Sequence, residues 1–232
     1  MTVFDRIREG YEVGGRRFAR RVARVFLRGA MAGLSPNVVT VSGCLLSGVA
    51  GVLAYREQFL AAAIVFLLGS LLDAMDGAVA KVTGKVTAFG AFLDSTLDRV
   101  AEGLMLGSIG LMFSQRGETL AVASCFVALA SSYLVSYTRA KAESLNVQCK
   151  GGLASRVERV VLLTAGLLLA SFWLVALQVV VHALAIIAAL TVLQRVLHVR
   201  KSLPDGRKPR RVRTRRRRKP RASDTPPPAS DA

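Results

Sequence analysis

The chain has 232 residues, 52% of them hydrophobic and 20% charged, with a formal net charge of +17 at pH 7. A mean hydropathy of +0.43 beside that much charge excludes a uniformly water-soluble protein, and the conflict resolves when the charge is located. Residues 201–232 hold twelve Lys/Arg against three Asp/Glu, whereas residues 38–198 contain several stretches of roughly 17–22 mostly apolar residues, long enough for a helix to cross about 30 Å of hydrocarbon. Three cysteines (Cys44, Cys125, Cys149) lie far apart without metal-ligand spacing, which argues against a disulfide framework or a zinc site. With His182 and His198 the sole histidines, a His-based nucleophilic triad has little support.

Met1–Gly33 is studded with arginine and lacks an apolar core ending in a cleavage site, so it reads as mature protein and not as a secretory signal. From Phe4 to Met31, Phe4, Ile7, Tyr11, Phe18, Val22, Val25 and Phe26 recur at helical spacing among arginines, the pattern of a helix lying on an anionic membrane surface. Ser35-Pro36 then supplies a cap candidate and a proline at the first helical position. The first span is expected to run to about Tyr55, and the second from Phe59 to Ala80. The third covers about Ala88–Phe113, the fourth Leu120–Arg139, the fifth Arg156–Phe172 and the sixth Leu177–Val199.

Six spans place both termini on one side, and the segments on that side carry 29 of the 32 Lys/Arg against two, Arg56 and Arg116, in the opposite loops. The positive-inside rule makes that side the cytoplasm, which predicts a multi-pass cell-membrane protein. The run Arg207–Arg221 shows no apolar periodicity and Ser223–Ala232 is rich in Pro, Ser and Asp, so the tail is expected to be disordered. The expected fold is an all-α integral membrane protein: residues 1–34 an amphipathic interfacial helix, 35–200 a domain of six transmembrane helices, and 201–232 an Arg-rich cytoplasmic tail.

An ionised Asp near a bilayer centre costs about 2.5–3.5 kcal/mol on insertion scales, so acids in a spanning helix need a partner or a task. Asp73 and Asp76 sit i,i+3 near the end of the second span, and Asp94 and Asp98 sit i,i+4 near the start of the third, so each pair shares a helix face. The short connection Lys81–Thr87 makes the two helices antiparallel and brings all four carboxylates to a similar depth. Such a cluster repels itself unless a cation neutralises it, and carboxylate oxygens suit hard divalent ions such as Mg2+. The competing reading pairs these acids with Arg99, Lys81 and Lys85 as salt bridges. Arg99 and Glu102, i,i+3, read as a structural pair more readily than as part of the site.

The segment Asp73-Ala-Met-Asp76-Gly77-Ala-Val-Ala80-Lys81, followed after eight residues by Gly90-Ala-Phe-Leu-Asp94-Ser-Thr-Leu-Asp98, resembles the signature of the CDP-alcohol phosphotransferases, D-x2-D-G-x2-A-R-x8-G-x3-D-x3-D. Lys81 stands where the family has Arg, and a compact ammonium does not reproduce a bidentate guanidinium contact. The resemblance implies that Asp73, Asp76 and Asp94 hold two Mg2+ ions, with Mn2+ an alternative. It also implies that Asp98 touches one ion and acts as general base on the acceptor hydroxyl. It further implies CDP-lipid contacts at Asn37, Val38, Val39, Thr40, Asp73, Gly77, Lys81 and Thr87, and a homodimer in contact with membrane lipids. Asn37 and Thr40 have an equally good reading as residues that start a helix.

Cations gather at the cytoplasmic ends of the last three spans, in Ser136-Tyr137-Thr138-Arg139-Ala140-Lys141-Ala142-Glu143, Arg156-Val157-Glu158-Arg159 and Gln194-Arg195. A phosphorylated polyol acceptor would need such a cluster, although positive-inside topology alone also places bases there. These stretches resemble the branch that makes phosphatidylinositol phosphate from CDP-diacylglycerol and inositol phosphate. That resemblance assigns Arg139, Arg156, Arg159 and Arg195 to the acceptor phosphate. Glycerol phosphate is the competing acceptor. A non-enzymatic, membrane-anchored polyanion-binding protein would use the tail instead, but no aromatic residue interleaves its bases, which argues against nucleic acid.

Overall fold

The computed structural model describes residues 35–83, 87–149 and 155–203, apart from the side chains at 36 and 76–83. The expected interfacial helix at 1–34, the tail from 204 onward and the side chains of Asp76 and Lys81, with Gly77, lie outside the described residues. Six helices and no strand occur among the described residues: α1 (Pro36–Tyr55), α2 (Phe59–Thr83), α3 (Ala88–Gln115), α4 (Thr119–Ser144), α5 (Arg156–Ala170) and α6 (Leu174–Ser202). These correspond one to one with the expected spans, with α4 running five residues further than anticipated.

Local chemistry sets the boundaries. Ser35 takes the extended conformation of a cap with Pro36 in the first turn, although its side chain makes no capping bond. Thr87 does cap α3, its hydroxyl accepting a 2.9 Å bond from the Gly90 amide. Gly117, at φ +73°, turns the chain out of α3 in a conformation that suits glycine.

Each helix packs chiefly on two neighbours, α1 on α2 and α3, α4 on α3 and α6, and α5 on α2 and α6, which closes a ring of six. Connections of few residues make successive helices antiparallel, so the end of α2 and the start of α3 share one end of the bundle with the end of α4, the start of α5 and the end of α6. Away from that end the ring is filled by apolar side chains, among them Phe66, Met105, Ile109, Phe113, Leu163, Leu167, Leu177 and Val181. At the tip opposite the acidic end, Arg116 clasps Glu57 with a 2.9 Å Nε bond, tying the α1–α2 turn to the α3–α4 turn and holding the Glu57 carboxyl below its usual range.

Among the described residues, three helices are long and apolar enough to cross a membrane: Asn37–Tyr55, Thr119–Ser144 and Leu174–Ser202. Asp73 and Asp76 lie toward the end of α2 and Asp94 and Asp98 toward the start of α3, while α5 has 15 residues. All six nonetheless expose large apolar side chains outward, including Leu45, Leu60, Leu111, Phe126, Val161 and Ile186. An apolar surface contributed by every helix of a ring is what a hydrocarbon solvent requires.

A close backbone approach joins α1 to α2. A Cβ at Gly43 would lie 3.0 Å from the Gly69 carbonyl oxygen and 3.2 Å from the Asp73 Cβ, and one at Gly69 would lie 3.0 Å from the Gly43 carbonyl. The contact seats Asp73 against α1. We expect Gly43→Val to destabilise the protein by about 1–3 kcal/mol through overpacking, read as a lower thermal unfolding midpoint in detergent; an unchanged midpoint would show that the helices have room to spare.

Candidate active site

Asp73, Asp94 and Asp98 converge at the polar end of the ring, each offering a carboxylate oxygen, with these atoms all within 4.8 Å of one another. Asp73 is buried, and Asp94 and Asp98 are half-buried. Their spacing is the cause: residues 94 and 98 fall one turn apart on one face of α3, and the antiparallel neighbour α2 brings residue 73 to the same level.

Arg156, at the first position of α5, reaches across the ring to this cluster. One of its nitrogens pairs with Asp73 Oδ2 and the other lies 2.8 Å from Asp98 Oδ1. Neither oxygen, though buried, makes an aligned hydrogen bond. Three carboxylates whose oxygens lie within 4.8 Å of one another, all hard donors and two of them sharing a single guanidinium, fit a divalent cation. Sequence spacing anticipated the convergence of Asp73, Asp94 and Asp98. Of the bases in the competing salt-bridge reading, the Lys81 side chain and Lys85 lie outside the described residues, and the cation that meets Asp73 and Asp98 here is Arg156.

The expected Arg99–Glu102 pair gives way to a different arrangement. Arg99 donates to the Ser95 carbonyl, while Glu102 takes a bidentate contact from Arg159 on α5, Nε to Oε1 at 2.6 Å and Nη2 to Oε2 at 2.9 Å. A two-pronged fork needs a coplanar approach, which an arginine on a facing helix supplies more readily than one three residues earlier on the same helix. Ser132 on α4 adds a 2.9 Å bond to Glu102 Oε1, and the Tyr133 hydroxyl donates to the Arg99 carbonyl at 2.9 Å. The polar run Ser131-Ser132-Tyr133 inside an apolar helix was the sequence signal for these contacts.

Beside the carboxylates lies a cavity of about 210 Å³ whose walls include Asp98, Glu102, Arg139, Arg156, Arg159 and Arg195. All four arginines assigned to an acceptor phosphate therefore meet at one cavity, with Asp98 in its wall. Arg159 and Arg195 are buried, and Arg195 also donates to the Val135 carbonyl at 2.5 Å. Arg139 is exposed and donates to Glu143 at 2.9 Å.

The residues assigned to the CDP-lipid divide. A Cβ at Gly90 would fall 2.9 Å from Thr87 Oγ1 and 3.3 Å from Asn37 Oδ1, so the heads of α1 and α3 meet at that glycine. Val39 and Thr40 are buried and Val38 is exposed. Asn37 and Thr87 thus share one edge of the acidic end, beside a backbone that only glycine leaves open.

A helical ring with an aspartate cluster and an arginine-lined cavity at one end suits an enzyme that transfers a substituted phosphate. The family model for CDP-alcohol phosphatidyltransferase matches residues 33–195, and the chain belongs to that family. Among its relatives, archaetidylinositol phosphate synthase of Pyrococcus horikoshii is 36% identical over 178 residues, covering 76% of this chain and 89% of the relative. Phosphatidylinositol phosphate synthase of Streptomyces avermitilis is 39% identical over 181 residues, covering 73% of each chain. The crystal structure of Mycobacterium tuberculosis phosphatidylinositol phosphate synthase with CDP-DAG bound superposes with a TM-score of 0.69 at 33% identity, covering 79% of this chain and 94% of the other. The same enzyme has been crystallised with manganese and citrate, with a TM-score of 0.69 at 31% identity, covering 78% of this chain and 88% of the other. The protein is thus a membrane transferase of phospholipid biosynthesis, from a metal-dependent family, and carries a cluster of aspartates suited to a metal.

Proposed function

We propose that the protein transfers the phosphatidyl group of CDP-diacylglycerol to a hydroxyl of inositol phosphate, giving phosphatidylinositol phosphate and CMP. The observation that carries this reading is the cavity in which Arg139, Arg156, Arg159 and Arg195 surround a space bordered by Asp98. A doubly charged phosphate takes charge-assisted hydrogen bonds from guanidiniums lining this space, roughly twice as strong as those a neutral polyol hydroxyl accepts. The relatives named as synthases of inositol-phosphate lipids support the same acceptor.

The residues then divide the work. Arginines of the cavity hold the acceptor phosphate and so fix the hydroxyl near Asp98. Asp98 takes the hydroxyl proton as the oxygen attacks the phosphorus on the diacylglycerol side; the bond from that phosphorus to the CMP oxygen breaks, and CMP leaves with the electron pair. Asn37, Val38, Val39, Thr40, Asp73, Gly77, Lys81 and Thr87 are the residues assigned to receive the CDP-lipid. Asp73, Asp76, Asp94 and Asp98 would hold two Mg2+ ions, which supply neutralisation of the pyrophosphate and of the charge growing on the leaving CMP. The charge asymmetry of the sequence supports six crossings, with both termini and the active site cytoplasmic.

The test is a transfer assay of the purified protein with CDP-diacylglycerol and Mg2+, offering inositol phosphate, glycerol phosphate, inositol and serine in parallel. Inositol phosphate should give the highest kcat/KM. Preference for glycerol phosphate, or equal use of inositol, would contradict the acceptor assignment. Arg195→Ala should raise the KM for inositol phosphate by roughly 10- to 100-fold, the loss of a charge-assisted hydrogen bond, with little change in the KM for CDP-diacylglycerol. A rise of equal size for both substrates would remove Arg195 from the acceptor site.

A further inference from the structure

The aspartate cluster and the cavity arginines leave one intramembrane acid without a task. Glu102 stands one turn beyond Asp98 on the same face of α3 and lines the acceptor cavity. It is not among the carboxylates close enough together to share a cation, which are Asp73, Asp94 and Asp98 among the described residues. Instead it grips Arg159 by both prongs, at 2.6 and 2.9 Å, with the Arg159 side chain 6% and the Glu102 side chain 14% exposed. Burying such a pair is costly, because desolvation offsets much of the attraction, so stability alone is a weak reason for its presence.

Geometry supplies a better reason. A bidentate contact fixes the plane of a guanidinium as well as its position. Ser132 fixes the carboxylate in turn from a third helix, through its 2.9 Å bond to the same Oε1 that receives Arg159 Nε. Arg159 and Asp98 line the same cavity, so a guanidinium released by Glu102 would have a second carboxylate to turn to. We propose that Glu102 is a positioning residue for acceptor recognition: held by Ser132, it orients Arg159 toward the acceptor and keeps that guanidinium off Asp98. The proposal rests on the acceptor-phosphate reading and adds to it the group that aims one of its cations.

The experiment uses the full-length protein in detergent, with its acceptor preference established first and each variant assayed with the preferred acceptor. Glu102→Gln, which keeps the shape and removes the charge, should raise the acceptor KM about tenfold, the order of one lost charge-assisted hydrogen bond, and leave the CDP-diacylglycerol KM within twofold. Because Glu102 acts through Arg159, the double variant Glu102→Gln/Arg159→Ala should be no worse than Arg159→Ala alone. Ser132→Ala, a smaller change that spares the fold should Glu102→Gln fail to accumulate, should raise the acceptor KM two- to threefold and have no effect once Arg159 is alanine. Additive losses in the double variant, or equal rises in both KM values with a lower unfolding midpoint, would overturn the role of Glu102. Preference of the parent for unphosphorylated inositol would instead overturn the acceptor reading, and the coupling of Glu102 to Arg159 would still be read from the same cycle.

Discussion

Asp98→Asn should reduce turnover by about 10²- to 10⁴-fold, the contribution of a well-placed general base, while CDP-diacylglycerol still binds. Asparagine matches aspartate in size and can still sit beside Arg156, whose nitrogen lies 2.8 Å from the carboxylate, but it cannot take a proton from the acceptor. The expected pattern is a collapse of kcat with a nearly unchanged dissociation constant for the CDP-lipid, measured by CMP release and by equilibrium binding. A turnover within a few fold of the parent would remove Asp98 from the base role and leave it a wall of the cavity.

Asp73→Asn should fail differently. Asp73 is the most buried of the three converging acids, and it is seated by the α1–α2 contact at Gly43 and Gly69. Neutralising it takes a ligand from the cation and a partner from Arg156 together. The Mg2+ concentration giving half-maximal activity should rise at least tenfold, since even the loss of an outer-shell partner costs about 10- to 100-fold in metal affinity. The same shift should appear in direct Mn2+ binding, which does not depend on turnover. An unmoved midpoint in both measurements would show that the ion is held elsewhere.

Helix spacing made the acidic cluster legible, because residues 73, 94 and 98 are tied to one level by a short turn and by a 3.6-residue repeat that tertiary contacts do not alter. The helix boundaries were legible for the same local reason, with Pro36 opening α1 and Thr87 capping α3. The pairings of the arginines were not. Whether Glu102 meets Arg99 on its own helix or Arg159 on α5 depends on which helices face each other across the ring, and periodicity carries no information about that. The same holds for Arg156, whose place at the head of α5 marks it as a surface base until the ring closes and points it at Asp73 and Asp98. Small-residue contacts fall between these cases: Gly43 and Gly69 are visible as glycines, but only the packed pair shows that each leaves room for the other's carbonyl.

Identification of the lipid product is the decisive measurement for the proposed transfer. Purified protein, CDP-diacylglycerol, Mg2+ and inositol phosphate are incubated together, and the lipid products and CMP are quantified by mass spectrometry. One phosphatidylinositol phosphate should form for each CMP, with both absent without divalent metal and both lost in the Asp98→Asn protein. CMP appearing with phosphatidic acid in place of the acceptor-linked lipid, or product formed at an undiminished rate by the Asp98→Asn protein, would contradict it.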